Sequence, residues 1–236
     1  MSPQYLLGFD LGTTSSKGLI VDTAGRVVAS HGVTHAIATP RPGWCELDGN
    51  TWWSDFCAVS RAMLASSGID PRDIAGLCMS AMSPEMLPLD ENGVPLRPGL
   101  IYSDARAQSY IPTAVAAWQR LRSEPVPPLM HSSHFAGPKI LWFRDNEPAL
   151  WARTARIHTG TSLLNYRLTG RHVVSYPEAN GYSPFFDASR LQWDERMCAE
   201  LGVPVHLLPE LAAATEVVGA VTAQADPRLV VCWGGH

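Results

Sequence analysis

The 236-residue chain has no apolar run long enough to span a bilayer, no run of basic residues and no Cys-x-x-Cys pair. The first absence removes a transmembrane helix from consideration. The second, with a net charge of −4, argues against a nucleic-acid surface. The first residues lack a basic region followed by an apolar one, so no secretory signal is expected and the chain reads as cytoplasmic. The five cysteines, Cys45, Cys57, Cys78, Cys198 and Cys232, are odd in number and scattered. Reduced thiols are the expected state, with Cys57 and Cys78 in the core because they lie in apolar runs. The eight histidines form no metal-ligand spacing. His31 and His35 are four apart, but in an extended segment, which does not place them on one helix face. No Walker order of Gly-x-x-x-x-Gly-Lys-Ser/Thr occurs, and no repeat recurs at a fixed period.

What remains is a chain that is 46% hydrophobic and 17% charged, enough for one large or two small globular domains with an ample core. Its most informative stretch is Leu7-Gly8-Phe9-Asp10-Leu11-Gly12-Thr13-Thr14-Ser15-Ser16-Lys17. A short apolar run ends in a carboxylate, a Gly-Thr-Thr-Ser-Ser turn follows, and the chain returns to apolar residues: strand, tight turn, strand. Gly12 lets the backbone approach an anion closely, while hydroxyls, N–H groups and Lys17 supply complementary polarity. Asp10, at the strand end, is placed to hold Mg²⁺ directly or through water. A polar hairpin on any antiparallel sheet is the plain alternative.

Along the chain, residues 6–10, 17–22 and 27–30 read as three antiparallel strands in a meander. Asn50 is the expected N-cap of a helix over 51–66, with Trp53, Phe56, Val59, Met63 and Leu64 facing the core. Residues 74–79 read as a buried strand, with 86–90 as its partner. Residues 100–102 make a short strand, and a helix then continues to about 121, disturbed near Pro112. Residues 123–128, with three prolines, are the best linker candidate. Helices follow at 138–146, at 150–151, at 162–168 ended by Gly170, and at 194–201 ended by Gly202. Further strands are expected at 157–159, 217–221 and 229–233. The fold class is α/β: a mixed sheet containing an antiparallel meander, flanked by helices, with a helical insert. The Tyr102-x-Asp104-x-Arg106 corner suits a polyhydroxylated ligand, because an aromatic face covers carbons while Asp accepts and Arg donates hydroxyl hydrogen bonds. A helix N-terminal charge and its ion pair explain the same two residues without a ligand.

Six segments, in order, resemble the FGGY carbohydrate kinases, a family that includes xylulokinases, glycerol kinases and gluconokinases. They are Phe9-Asp10-Leu11-Gly12-Thr13-Thr14; Pro42-Gly43-Trp44-Cys45-Glu46-Leu47-Asp48; Tyr102-Ser103-Asp104-Ala105-Arg106; Pro138-Lys139-Ile140-Leu141-Trp142; Tyr166-Arg167-Leu168-Thr169-Gly170; and the segment ending Trp233-Gly234-Gly235-His236. The resemblance implies a ribonuclease H-like fold of the actin/hexokinase/Hsp70 superfamily. Residues 1–236 would form the N-terminal domain on the substrate and phosphate side, with the C-terminal nucleotide-binding domain absent from this chain.

It also implies ATP-dependent phosphorylation of a sugar or polyol hydroxyl. Asp10 would be catalytic and hold Mg²⁺, Thr13, Thr14 and Lys17 would line the ATP phosphates, and Met82, Ser83, Tyr102, Asp104 and Arg106 would meet the substrate. The family's general base, an aspartate after Gly-Gly-x, would follow His236, so this length alone is expected to be inactive. D-xylulose is the leading substrate, with gluconate, ribulose, glycerol or another polyol as alternatives. The chain departs from the pattern where Ala81-Met82-Ser83-Pro84-Glu85 replaces the Gly-Gln-Met-His-Gly of xylulokinases, and where Tyr102 replaces the usual Trp. A non-catalytic sugar-binding module and a phosphatase or ATPase of the same superfamily are the competing classes. A homodimer stays open as the assembly.

Overall fold

The computed structural model describes residues 5–221. Three strands, β1 (Tyr5–Leu11), β2 (Ser15–Asp22) and β3 (Val27–Thr34), form the expected antiparallel meander. A fourth, β5 (Ile74–Ala81), lies parallel to β1, giving the order β3-β2-β1-β5. Between them come the two-residue β4 (Glu46–Leu47) and helix α1 (Gly49–Ser67). The period-two pattern decides which face is covered: Leu7, Phe9, Leu11, Ser16 and Ile20 point to α1 and are buried, whereas Leu6, Asp10, Lys17 and Leu19 point away and are exposed. From α1, Trp52, Trp53, Phe56, Val59 and Met63 fill the interface, each large side chain contributing about 1.5–3 kcal/mol on full burial. Gly18 permits this close approach, because a Cβ there would lie 2.7 Å from Val59 and 2.8 Å from Met63.

The cap of α1 is Asp48, whose carboxylate accepts from the Asn50 N–H at 2.9 Å, so the helix starts earlier than Asn50-capping predicts. Strand β5 forms as expected but is not buried. It edges the described sheet, its residues alternate between half-buried and exposed, and Cys78 is exposed rather than in the core. Strand β6 (Leu87–Leu89) pairs with β8 (Arg156–His158), not with β5. The two residues of β7 (Gly99–Leu100) pair with β4, which brings distant segments to one corner.

The helical insert has its own core. Helices α2 (Ile111–Leu121), α3 (Ala136–Asn146) and α4 (Pro148–Trp151) pack with Tyr182, Phe185, Met197 and Leu207. Pro112 sits in the first turn of α2 and starts that helix, where its missing N–H costs nothing. Residues 123–127 are irregular and Pro128 opens a short 3-10 turn, yet Trp118 before them and Met130 after them share this core and Val126 packs against it, so no domain boundary falls there. Helix α5 (Gly160–Thr169) ends at left-handed Gly170 as expected. Strand β9 (Val173–Ser175) leads into α6 (Tyr176–Ala179), the hairpin of β10 (Phe186–Asp187) and β11 (Gln192–Trp193), and α7 (Glu195–Glu200). Asp194 caps α7 by accepting from the Met197 N–H. The final strand, β12 (Glu210–Ala212), runs parallel to β9. Residues 217–221, expected as a strand, are irregular, and the expected strand at 229–233 with Gly234-Gly235-His236 lies outside the described residues.

No helix among the described residues is long and apolar enough to cross a membrane. Cys45, Cys78 and Cys198 are free thiols.

Candidate functional site

The turn between β1 and β2 consists of Gly12, Thr13 and Thr14. The Gly12 N–H donates to the Ser15 carbonyl at 2.9 Å, and a Cβ on Gly12 would stand 2.6 Å from that oxygen. Only glycine closes the turn this tightly. The antiparallel register sets Asp10 opposite Lys17 on the open face of the sheet. Both side chains are exposed, and neither has an ion-pair partner among the described residues. Beside them lies an open hollow of about 960 Å³ whose rim includes Gly8, His31, Gly32 and Ser80. A carboxylate and an ammonium ion, each without a fixed partner and flanking a glycine turn, are free to meet a metal ion and an anion.

The turn reaches the predicted substrate corner. The Thr13 hydroxyl donates to the Tyr102 hydroxyl at 3.5 Å across 89 residues of sequence. The Met82 N–H donates to the Leu11 carbonyl at 2.8 Å, which ties the segment after β5 to the end of β1. Met82 is half-buried and Ser83 is exposed. On the other side the His134 ring lies 6.1 Å from that of Tyr102. Thr13, Met82, Tyr102 and His134 are thereby linked in one neighbourhood.

Asp104 and Arg106 do not line that space. Asp104 is fully buried and its carboxylate is saturated. One oxygen accepts from the Arg106 N–H at 3.0 Å and Nε at 2.9 Å; the other accepts from the Cys45 N–H at 2.7 Å and an Arg106 Nη at 2.8 Å. The Arg106 side chain, 1% exposed, also pairs with Glu46 at 2.7 Å and stacks over the Trp44 ring at 3.6 Å. Glu46 pairs with Arg97, which pairs in turn with Glu147. The structure thus places these two residues, expected to meet substrate, in a buried network at the corner rather than on its open side. The same network explains why the Pro-Gly-Trp-x-Glu and x-Asp-x-Arg segments occur together: Trp44, Glu46, Asp104 and Arg106 are one connected cluster, closed by Trp142 of the fourth segment, 5.1 Å from Arg106.

Behind the corner sit further charged groups. Glu85 is fully buried. One of its oxygens accepts from the Gly160 N–H at 3.4 Å, and the other has no partner among the described residues. Burial, then the neighbouring Glu178 charge, pushes its carboxyl well above the usual range. Glu178 is raised too, chiefly by burial, while it accepts from the Thr161 hydroxyl. Lys139, near the start of α3, donates to the carbonyls of Ser133 at 2.6 Å and His134 at 2.7 Å. Burial brings its pKa down to about 8. Lys139 thus holds the loop that carries His134. The only sequence sign of such a role was a lysine near a helix N-terminus, against the dipole.

Among the described residues no cluster of three or more His, Cys, Asp or Glu side chains could hold a metal ion by itself. A metal at Asp10 needs ligands from the bound phosphate or water, which suits Mg²⁺, an ion that usually keeps several waters.

Comparison with known proteins gives a consistent result. The N-terminal domain of the FGGY family of carbohydrate kinases matches residues 5–230. The chain is 32% identical to glycerol kinase 2 of Streptomyces avermitilis, over 94% of this chain and 45% of that protein. It is 28% identical to the xylulose kinase of Lactococcus lactis, over 95% of this chain and 44% of that one. Among solved structures, the xylulose kinase of Rhodospirillum rubrum matches with a TM-score of 0.84 at 26% identity, covering 98% of this chain and 46% of that chain. The chain spans a little under half the length of these relatives.

Proposed function

Because the chain belongs to the FGGY family of carbohydrate kinases, we propose that it forms the phosphate- and substrate-facing half of an enzyme moving the γ-phosphoryl group of ATP to a hydroxyl of a small sugar or polyol. The observation that carries this reading is the hydrogen bond from Thr13 to Tyr102, which joins the glycine turn to the sugar corner. Donor and acceptor must meet within bonding distance for phosphoryl transfer, and catalysis is chiefly positioning and charge stabilisation.

In this reading Asp10 holds Mg²⁺, which neutralises charge on the phosphate oxygens when bound. Gly12 lets the backbone reach those oxygens, Thr13 and Thr14 present hydroxyls and amides, and Lys17 adds positive charge. Tyr102 covers a carbon face of the substrate, with Met82, Ser83 and His134 around it. Asp104 and Arg106 fix the Tyr102 loop. No residue between 5 and 221 is assigned the role of proton acceptor.

D-xylulose is the first substrate to test and glycerol the second, since relatives of similar likeness carry both names. Gluconate and ribulose complete the panel. In the full-length protein, Tyr102→Ala is expected to raise the KM for the sugar about tenfold, the cost of losing an aromatic contact worth about 1.5 kcal/mol. The KM for ATP should stay within about twofold by the same reasoning. An unchanged sugar KM would remove Tyr102, and with it the corner, from the substrate site.

A further inference from the structure

His35 follows β3 and contacts the glycine turn twice. Its backbone N–H donates to the Thr14 carbonyl at 3.0 Å, and its ring Nε2 lies 3.1 Å from the Thr13 carbonyl. The other ring nitrogen, Nδ1, lies 2.7 Å from Oδ2 of Asp55 on α1. The same oxygen accepts the Ser16 hydroxyl at 2.8 Å. Ser16 is fully buried, and the His35 ring is 4% exposed. Of these residues only Thr13 and Thr14 are accounted for by the site described above.

A carbonyl has no proton to give, so Nε2 must donate to Thr13. With Nε2 donating, Nδ1 faces the Asp55 carboxylate, which is itself steadied by Ser16. The peptide group is planar and trans, so C=O and the next N–H point in opposite directions. Drawing the Thr13 and Thr14 carbonyls towards His35 turns the Thr14 and Ser15 N–H groups away from it, to the open side of the turn.

We propose that His35, held by Asp55 and Ser16, is a positioning residue that aims the Thr14 and Ser15 backbone amides at a bound phosphate group. It acts through the turn, without touching the nucleotide or the sugar. The proposal rests on the kinase reading for the identity of the anion, but not for the hydrogen-bond logic. It assigns a role to α1 as well: the helix that seals the sheet also anchors the histidine.

The test has two arms. In ¹⁵N-histidine-labelled protein, NMR is expected to show a proton on Nε2 of His35. A bare Nε2 overturns the proposal. In the second arm, the affinity of full-length protein for Mg·ADP is measured without sugar. His35→Leu is expected to weaken it about tenfold, a loss of one charge-assisted hydrogen bond. Asp55→Asn should weaken it by a similar factor. His35→Gln, whose amide can still donate to the Thr13 carbonyl, should recover most of the affinity. If His35→Leu does not fold, Asp55→Asn and His35→Gln decide alone. Equal affinity in all variants, or His35→Gln no better than Asp55→Asn, overturns the proposal. Failure of every sugar in the transfer assay would count against the kinase reading and leave both arms in force.

Discussion

Asp104→Asn separates a brace from a ligand contact. The wild-type carboxylate is fully buried and takes at least two donors on each oxygen, from the Cys45 N–H and from the main chain and side chain of Arg106. An amide in its place keeps the volume but sets an NH₂ group against N–H donors on at least one side. It also leaves Arg106 with a partly uncompensated charge. Removing one partner of a buried ion pair costs about 3–5 kcal/mol. Glu46 still accepts from Arg106, which puts the expected loss near the low end, about 3 kcal/mol. For a domain of this size each kcal/mol is worth about 2–4 °C, so the melting temperature should fall by roughly 6–12 °C. Urea unfolding should show a lower midpoint with an unchanged m value. Ligand affinity, measured well below the new melting temperature, should change by less than about threefold on the same reasoning. A variant with wild-type stability that no longer binds sugar would refute this account and return Asp104 to direct substrate contact.

Two other substitutions probe the turn and the buried acid behind the corner. Gly12→Ala places a Cβ 2.6 Å from the Ser15 carbonyl, and relief of such overpacking costs about 1–3 kcal/mol; the KM for ATP should rise at least about tenfold, with the KM for sugar little changed, and an unaltered ATP KM would contradict the tight-turn reading. Glu85, raised by burial, is protonated in the folded chain where the unfolded chain is ionised. Native Glu85 therefore loses stability relative to Glu85→Gln as pH rises from about 5, by about 1.4 kcal/mol per pH unit, until its folded pKa is reached. Urea unfolding of both proteins at about pH 5 and 7 reads this difference, and a pH-independent gap would show that Glu85 ionises normally.

The elements with local signals were legible in the sequence. The meander, the glycine turn and helices α1, α3, α5 and α7 carry their periodicity and caps within a few residues. What was not legible depends on distant partners. Strand β6 looked like the neighbour of β5, yet it pairs with β8 about 70 residues further on, and no local pattern encodes that choice. Strand β5 is as apolar as a buried strand but lies at the edge of the described sheet. Polar residues misled in the same way. Asp104, Arg106 and Glu85 look like ligand or surface groups, because charged side chains are rarely fully buried unless paired. Their burial follows from Trp44, Glu46, Cys45 and Gly160, contributed by other segments. His35 gave no local sign of a role, since its partners Asp55 and Thr13 lie 20 and 22 residues away.

The central claim is that the glycine turn and the Tyr102 corner serve one transfer from ATP to a sugar hydroxyl. ³¹P NMR of the full-length protein with Mg·ATP, alone and with D-xylulose, glycerol, gluconate or ribulose, tests it most directly. The account predicts a sugar-phosphate resonance growing in step with ADP for at least one of these substrates, and little free phosphate without them. Release of inorganic phosphate at the same rate with and without sugar, with no phosphate ester formed, would contradict it.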